Sequence, residues 1–203
     1  MKPPFARAVD DFQTAVLQWT SLAQSLVSYG KDKIGVTKNV VYYILAFIVF
    51  LVDQGVKYLV ATQMNIGDEI PVIGNFFVIT SHRNAGAAFG ILQNQRWFFI
   101  VVTIVVVVAL VWYLQKVKNS PHKLLPVALS LVLGGAIGNF LDRALTGEVV
   151  DFVQLNFGSY TFPIFNIADS AICIGVALIV LETLLEGRRE KAAAKIEGNE
   201  THE

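Results

Sequence analysis

Cysteine occurs once, at Cys173, so no disulfide can form within one chain and no C-x-x-C metal or redox site exists. Histidine is almost as scarce: His82, His122 and His202 fall far apart, in different loops or the tail, which argues against a His-rich metal centre. Neither sign of charge is in excess, with 16 basic against 16 acidic residues, so nothing favours nucleic acid as a partner. Charge of any kind is thin, at 16% of 203 residues against 54% hydrophobic, with a mean hydropathy of +0.55. An ordinary soluble domain carries about a quarter charged residues. This chain therefore reads as an integral membrane protein.

The apolar residues gather into four runs. Val40 to Thr62 opens with an unbroken apolar stretch to Val52 and is long enough to cross about 30 Å of hydrocarbon, for which roughly twenty residues are needed. Trp97 to Leu114 has aromatic residues near both ends, as an interfacial belt requires, and reads as scaffold. Leu124 to Leu141 turns small and polar in its second half through Gly134, Gly135, Gly138 and Asn139, and the fourth run extends from Ile167 to Leu185. Lysines and arginines cluster before the first span, between the second and third, and after the fourth. The positive-inside rule then places both termini in the cytoplasm and the connections 65–95 and 143–166 on the opposite side. The first of these predicts a strand at Phe76 to His82. Residues 1–39 repeat Phe5, Phe12, Trp19 and Leu26 every seventh position, one stripe of an amphipathic helix lying on the membrane or on the body of the protein. They lack the layout of a secretory signal. Residues 188–203 form a charged, Ala/Glu-rich tail.

This topology brings scattered polar residues to one depth. Asp53 and Lys57 end the first span, Asn139, Asp142 and Arg143 end the third, Asn166 and Asp169 begin the fourth, and Asn84 and Asp151 come from the outer connections. Each has a plain structural explanation. Asp53 and Lys57 stand at i and i+4 as an ion pair, Asp142 is neutralised by adjacent Arg143, Asn166 caps the fourth helix with Asp169 in its first turn, and Asp151 is the exposed residue of a short strand. Together they fit an acid–base device better. Two carboxylates close together at a partly desolvated site share a proton, so one serves as base while the other is acid. Asp151 and Asp169 are the natural pair, because Arg143 already answers Asp142. A serine–lysine pair from Ser170 and Lys57 is disfavoured, since Asp53 holds Lys57 charged, and a metallopeptidase needs a denser ligand set.

Four ordered segments carry a resemblance to a known family: Asp53-Gln-Gly-Val-Lys57, Asn84-Ala-Gly-Ala-Ala-Phe-Gly90, Gly138-Asn-Phe-Leu-Asp-Arg143 with Val150-Asp-Phe152, and Phe165-Asn-Ile-Ala-Asp169. Over residues 40–187 the chain resembles lipoprotein signal peptidase, the intramembrane aspartyl endopeptidase also called signal peptidase II. The resemblance implies an all-α membrane protein of the bacterial inner membrane. It would have four transmembrane helices, a small extracytoplasmic β-sheet cradle using Val149 to Leu155, a short outer helix within 65–95, and an active site facing the extracytoplasmic side. It implies Asp151 and Asp169 as catalytic, supported by Asp53, Asn84, Asn139, Asp142, Arg143 and Asn166. It implies a diacylglyceryl-modified prolipoprotein as substrate, cleaved before the lipidated cysteine without cofactor or metal. Membrane lipids and globomycin-type inhibitors would be further partners, and the chain would act as a monomer. The small-residue patches Ala85 to Gly90 and Gly134 to Gly138 are expected to give the signal peptide room. The competing reading is a small transporter or channel subunit with an outer polar binding site. It predicts charges along a path through the bilayer, and the inner halves of the spans carry none except Glu182.

Overall fold

The structure, a computed structural model, describes Thr14, Gln18, Ser21, Ser25 and residues 39–87 and 91–200, with side chains in the long stretches from 40 to 192. The stripe of Phe5, Phe12, Trp19 and Leu26 lies outside the described residues. The four isolated positions are helical and exposed, and the Ser21 hydroxyl donates to the Gln18 carbonyl at 2.8 Å.

Four long helices form the body: α1 Asn39–Gln63, α2 Arg96–Val117, α3 Leu124–Leu145 and α4 Ile167–Glu200. All four are long and apolar enough to cross a membrane. With 22 residues the shortest spans about 33 Å at 1.5 Å per residue, matching the hydrocarbon thickness. α3 runs one turn past Leu141, which brings Asp142 and Arg143 into regular helix. α4 continues beyond Leu185 because Glu, Arg, Lys and Ala sustain a helix wherever water replaces lipid.

α3 is the central element, packed by α1, α2 and α4. Its glycines explain why. A Cβ at Gly134 would collide with the Ala46 carbonyl and Val49 of α1, one at Gly135 would lie 2.5 Å from the Ala168 carbonyl, and one at Gly138 would lie 2.5 Å from Asp53 Oδ2. Bare backbone on these faces lets neighbouring helices approach closely, a packing solution common in bilayers. These glycines seat helices, not substrate, which corrects the expectation that Gly134 to Gly138 makes room for the signal peptide. Towards the start of α1 and the end of α2, Tyr42, Ala46, Leu114, Leu129 and Leu133 form a buried cluster joining α1, α2 and α3.

A four-stranded antiparallel sheet covers the end of the bundle where α1 stops and α4 begins, in the order β1 Glu69–Ile73, β2 Phe77–Asn84, β3 Val149–Phe157, β4 Tyr160–Thr161. The two strands expected from the sequence are both present; each ends two residues later than expected, and β2 starts one residue later, at Phe77. The sheet is fixed to α1 by Val60, Met64 and Phe152. A bulge between Ile79 and His82 sets two β2 residues against one of β3, then the ladder resumes with Arg83 opposite Val150 and Asn84 opposite Val149. Bulges re-aim the residues beyond them, and here those include Asn84. Asn84 and Asp151 thereby reach one another from connections 67 residues apart. Within 65–95 the expected short helix is absent among the described residues; Leu92 and Asn94 adopt φ of 55° and 62°, which no right-handed helix accommodates.

Gly135→Ala should lower stability by about 1–3 kcal/mol, because the added methyl must push α3 and α4 apart. Gly187→Ala, where a Cβ meets nothing within 4 Å, should be neutral or slightly stabilising. Thermal unfolding in detergent micelles compares the two.

Candidate active site

The start of α4 organises the polar cluster. Asn166 Oδ1 accepts the Asp169 backbone N–H at 2.9 Å, and Asp169 Oδ2 accepts the Asn166 backbone N–H at 3.2 Å. This is a reciprocal capping box with aspartate at the third position. The N–H of Ala168 donates to Asp53 Oδ1 at 2.8 Å, so α1 supplies a further acceptor to the same helix start. The capping role read for Asn166 is therefore real. It leaves the Asn166 Nδ2 free to donate to Asp151 Oδ1 at 2.7 Å.

Lys57 lies behind this box, buried with Asp53 and joined to it at 2.8 Å. Its ammonium also pairs with Asp142 at 2.9 Å and donates to Asn139 Oδ1 at 2.9 Å. Asp142 further accepts from Gln54 Nε2 at 3.0 Å and from the Val150 N–H at 3.3 Å, which ties α3 to β3. Arg143 is thus not the partner of Asp142. Consecutive helical residues diverge by about 100°, so Asp142 faces α1 while Arg143 turns away. The Arg143 guanidinium donates to the Gly86 carbonyl at 3.0 Å and lies over the Phe99 ring, 4.6 Å from its centroid.

The aspartates proposed as a pair are each held by amides. Asp151 is buried, not the exposed strand residue that alternation suggests, and it accepts Asn84 Nδ2 at 2.9 Å on the oxygen not bonded to Asn166. Asn84 Oδ1 in turn accepts the Gly86 N–H at 2.9 Å. Asp169 accepts Asn139 Nδ2 at 2.8 Å. An N–H can only donate, so Gly86, Asp169 and Lys57 each require an amide oxygen opposite them, and all three asparagines present their NH2 groups to a carboxylate or to one another.

Asn84, Asn139, Arg143, Asp151 and Asp169 line one cavity of about 500 Å³. Its remaining walls are largely apolar and include Val149, Phe162, Ile172 and Cys173. Asp53, Asp142 and Asn166 stand behind this lining as supports. Gln54, which also donates to Asp53 Oδ2 and to the Gly138 carbonyl, and Gly86, with no space for a side chain, were not singled out by the sequence reading. Both sit inside the quoted segments, but neither carries charge. Among the described residues no three His, Cys, Asp or Glu side chains converge as a metal site.

Burial pushes the Asp151 carboxyl up to about 6, and the neighbouring Asp169 charge acts in the same direction. The amides of Asn84 and Asn166 and the Lys57 charge oppose the rise without cancelling it. The cavity therefore holds a carboxyl poised to exchange a proton near neutrality beside a second carboxylate, with oriented amide donors around both. That arrangement suits general acid–base chemistry on a polar bond brought in from an apolar surrounding.

Known proteins share this arrangement of sequence. The family model described as signal peptidase (SPase) II matches residues 45–185. The lipoprotein signal peptidase of Bacillus pumilus (strain SAFR-032) is 56% identical over 150 residues, covering 74% of this chain and 96% of its own length. Two solved chains, described as bacterial membrane enzyme structures obtained by the in meso method, are each 48% identical. One, at 2.3 Å, matches with a TM-score of 0.67 over 72% of this chain and 89% of its own. The other, at 1.9 Å, gives 0.63 over 71% and 92%.

With carboxyl-labelled aspartate in micelles, one carbon-13 signal should titrate with a midpoint near pH 6 and disappear in Asp151→Asn. The Asn84 amide favours the ionised form of that carboxyl, so Asn84→Ala should move the midpoint to higher pH. A midpoint in the ordinary carboxylate range of about 4 would contradict the burial argument.

Proposed function

Because the chain belongs to the signal peptidase II family, an aspartic peptidase family that removes signal peptides from prolipoproteins, we propose that Asp151 and Asp169 are the acid–base pair that carries out the hydrolysis. The observation supporting this most directly is that both carboxylates line one cavity while every amide around them donates inward. The ionised member of the pair removes a proton from water as its oxygen attacks the scissile carbonyl, forming the C–O bond. The protonated member donates to the carbonyl oxygen. When the C–N bond breaks, one member of the pair takes the proton of a gem-diol hydroxyl as C=O re-forms while the other gives its proton to the departing amine, and the pair returns to its starting protonation.

The side chains divide by task. Asn84, Asn139 and Arg143 share the cavity with the pair; Asn84 and Asn139 orient it, and Arg143 holds Gly86 in place. Asp53, Asp142 and Asn166 fix the ends of α1, α3 and α4 behind it. Residues 40–187 form the peptidase unit, between the amphipathic extension of residues 1–39 and the charged tail of residues 188–203. The substrate carries diacylglycerol on the cysteine that follows the scissile bond. Its lipid lies among bilayer lipids beside the apolar walls Phe162 and Ile172, and globomycin-type cyclic peptides compete for the same cavity. Both termini are cytoplasmic, the site faces the extracytoplasmic side, and one chain suffices for activity. A solute-conducting role is not favoured, since among the described residues the buried charged groups gather at one end of the helices, apart from Glu182, which pairs with Arg189 at 2.9 Å.

Asp151→Asn and Asp169→Asn should each insert and fold as the parent does, while cleavage of a diacylglyceryl-modified precursor falls by about 10²- to 10⁴-fold or more. Gel-shift assay of purified variants measures this. Parent-like turnover in either one would sink the pair.

A further inference from the structure

Lys57 takes no part in the hydrolysis just described, yet it is 2% exposed at the centre of the support layer. An ammonium has three N–H donors and no acceptor. Here they reach Asp53 Oδ2 at 2.8 Å, Asp142 Oδ2 at 2.9 Å and Asn139 Oδ1 at 2.9 Å. The two carboxylates already exceed the single positive charge, so charge balance does not call for the third bond. Its consequence is directional. Because the group facing an ammonium must be an acceptor, Asn139 turns its oxygen to Lys57, and its Nδ2 is left pointing at Asp169 Oδ1, 2.8 Å away. Among the described residues, the other hydrogen bond to the Asn139 oxygen comes from Asn166 Nδ2 at 3.2 Å, a longer bond between neutral groups. Hydrogen bonds from a charged donor are about twice as strong as such neutral ones.

We propose that Lys57 is a positioning residue for the peptidase reaction, acting through Asn139 to keep Asp169 Oδ1 an acceptor, so that the proton shared by the aspartate pair is excluded from that oxygen. This rests on Asp151 and Asp169 being the catalytic pair. Without Lys57, a half-turn of the Asn139 amide would present oxygen to Asp169, a geometry tolerable only if Asp169 carried the proton there. The groups around Asp169 are otherwise unchanged by that turn: Asn166 caps it, and Asp151 and Arg143 face the same cavity. Lys57 thus selects between two arrangements of the pair, whereas a mere counter-ion would offset one of the two carboxylates beside it and do nothing more.

Removing Lys57 alone strands two buried carboxylates, so the informative variant is Lys57→Met with Asp53→Asn, which removes one charge of each sign. It should unfold thermally near the parent, keep KM within about twofold, and lose kcat by about 10²-fold, the scale of a misplaced catalytic group. In an Asn139→Ala background the same double change should cost no further kcat, because two residues acting through one contact are not additive. Parent-like kcat in Lys57→Met/Asp53→Asn, or a full second loss in the Asn139→Ala background, overturns the proposal. Should the double variant fail to insert, Asn139→Asp decides: it retains an oxygen for Lys57 but loses the N–H for Asp169, so it should lose kcat similarly, and parent-like kcat there refutes the role. Asp151→Asn and Asp169→Asn assayed in parallel separate this from failure of the pair itself, which would show as turnover in those two.

Discussion

A helix that begins at the edge of a bilayer must satisfy its first backbone N–H groups where water is scarce, and α4 does so with the side chains that build the site. Asn166 and Asp169 cap each other's backbone, and Asp53 takes the N–H between them. Each of these acceptors has capacity left over: Asn166 has its NH2, and Asp169 has its other oxygen. Those remaining valences reach Asp151 and Asn139. The position of the aspartate pair is therefore set by the same bonds that fix where α4 starts, and a shift of one residue in that start would dismantle both.

Around this core, direction is transmitted by neutral amides and charge is confined behind them. Lys57 balances one of the two carboxylates at its side, and the nearby Arg143 donates to the Gly86 carbonyl and lies over the Phe99 ring. Buried ions are costly unless paired or hydrogen-bonded; here Lys57 pairs with Asp53 and Asp142, and Asp151 is held by the amides of Asn84 and Asn166. The result is two parallel chains of contact. Lys57 leads through Asn139 to Asp169, and Arg143 leads through Gly86 and Asn84 to Asp151. Asn166 joins them. The glycine faces of α3 are what allow α1 and α4 to come near enough for these bonds, since a methyl at Gly138 would occupy the space of the Asp53 carboxylate.

The four spans were legible in the sequence because their apolar runs are long and their flanks basic, and the Asp53–Lys57 pair because helical spacing leaves little choice. The convergence of the outer polar residues followed from topology alone. Asp142 was misassigned to Arg143 because neighbours in sequence are not neighbours on a helix. Gln54 and Gly86 escaped notice since neither ionises, although one bridges α1 to α3 and the other links Arg143 to Asn84. The glycines of α3 looked like space for a ligand, and periodicity cannot say which helix a small residue faces. Two-residue β4 and the pairing of β1 leave no pattern long enough to read. The bulge that aims Asn84 at Asp151 depends on partners in β3 that the sequence of β2 does not contain.

Reading these residues as either structural or functional proves to be a false choice, and the physics of the site explains why. A catalytic carboxyl that must exchange a proton near neutrality needs burial, and burial demands that every other polar group nearby already have a partner. The cheapest partners at a membrane surface are helix ends and the amides that cap them. A side chain can then be indispensable to the helix and still point its remaining valence at the proposed pair, as Asn166 does towards Asp151. The amide and carboxylate groups differ in one respect that matters here. Both oxygens of Asp169 are engaged, Oδ2 by the Asn166 backbone N–H and Oδ1 by the Asn139 amide, so the ionised side chain both caps α4 and faces the proposed acid–base pair's cavity. An asparagine there has one oxygen for the Asn166 N–H and moves no proton.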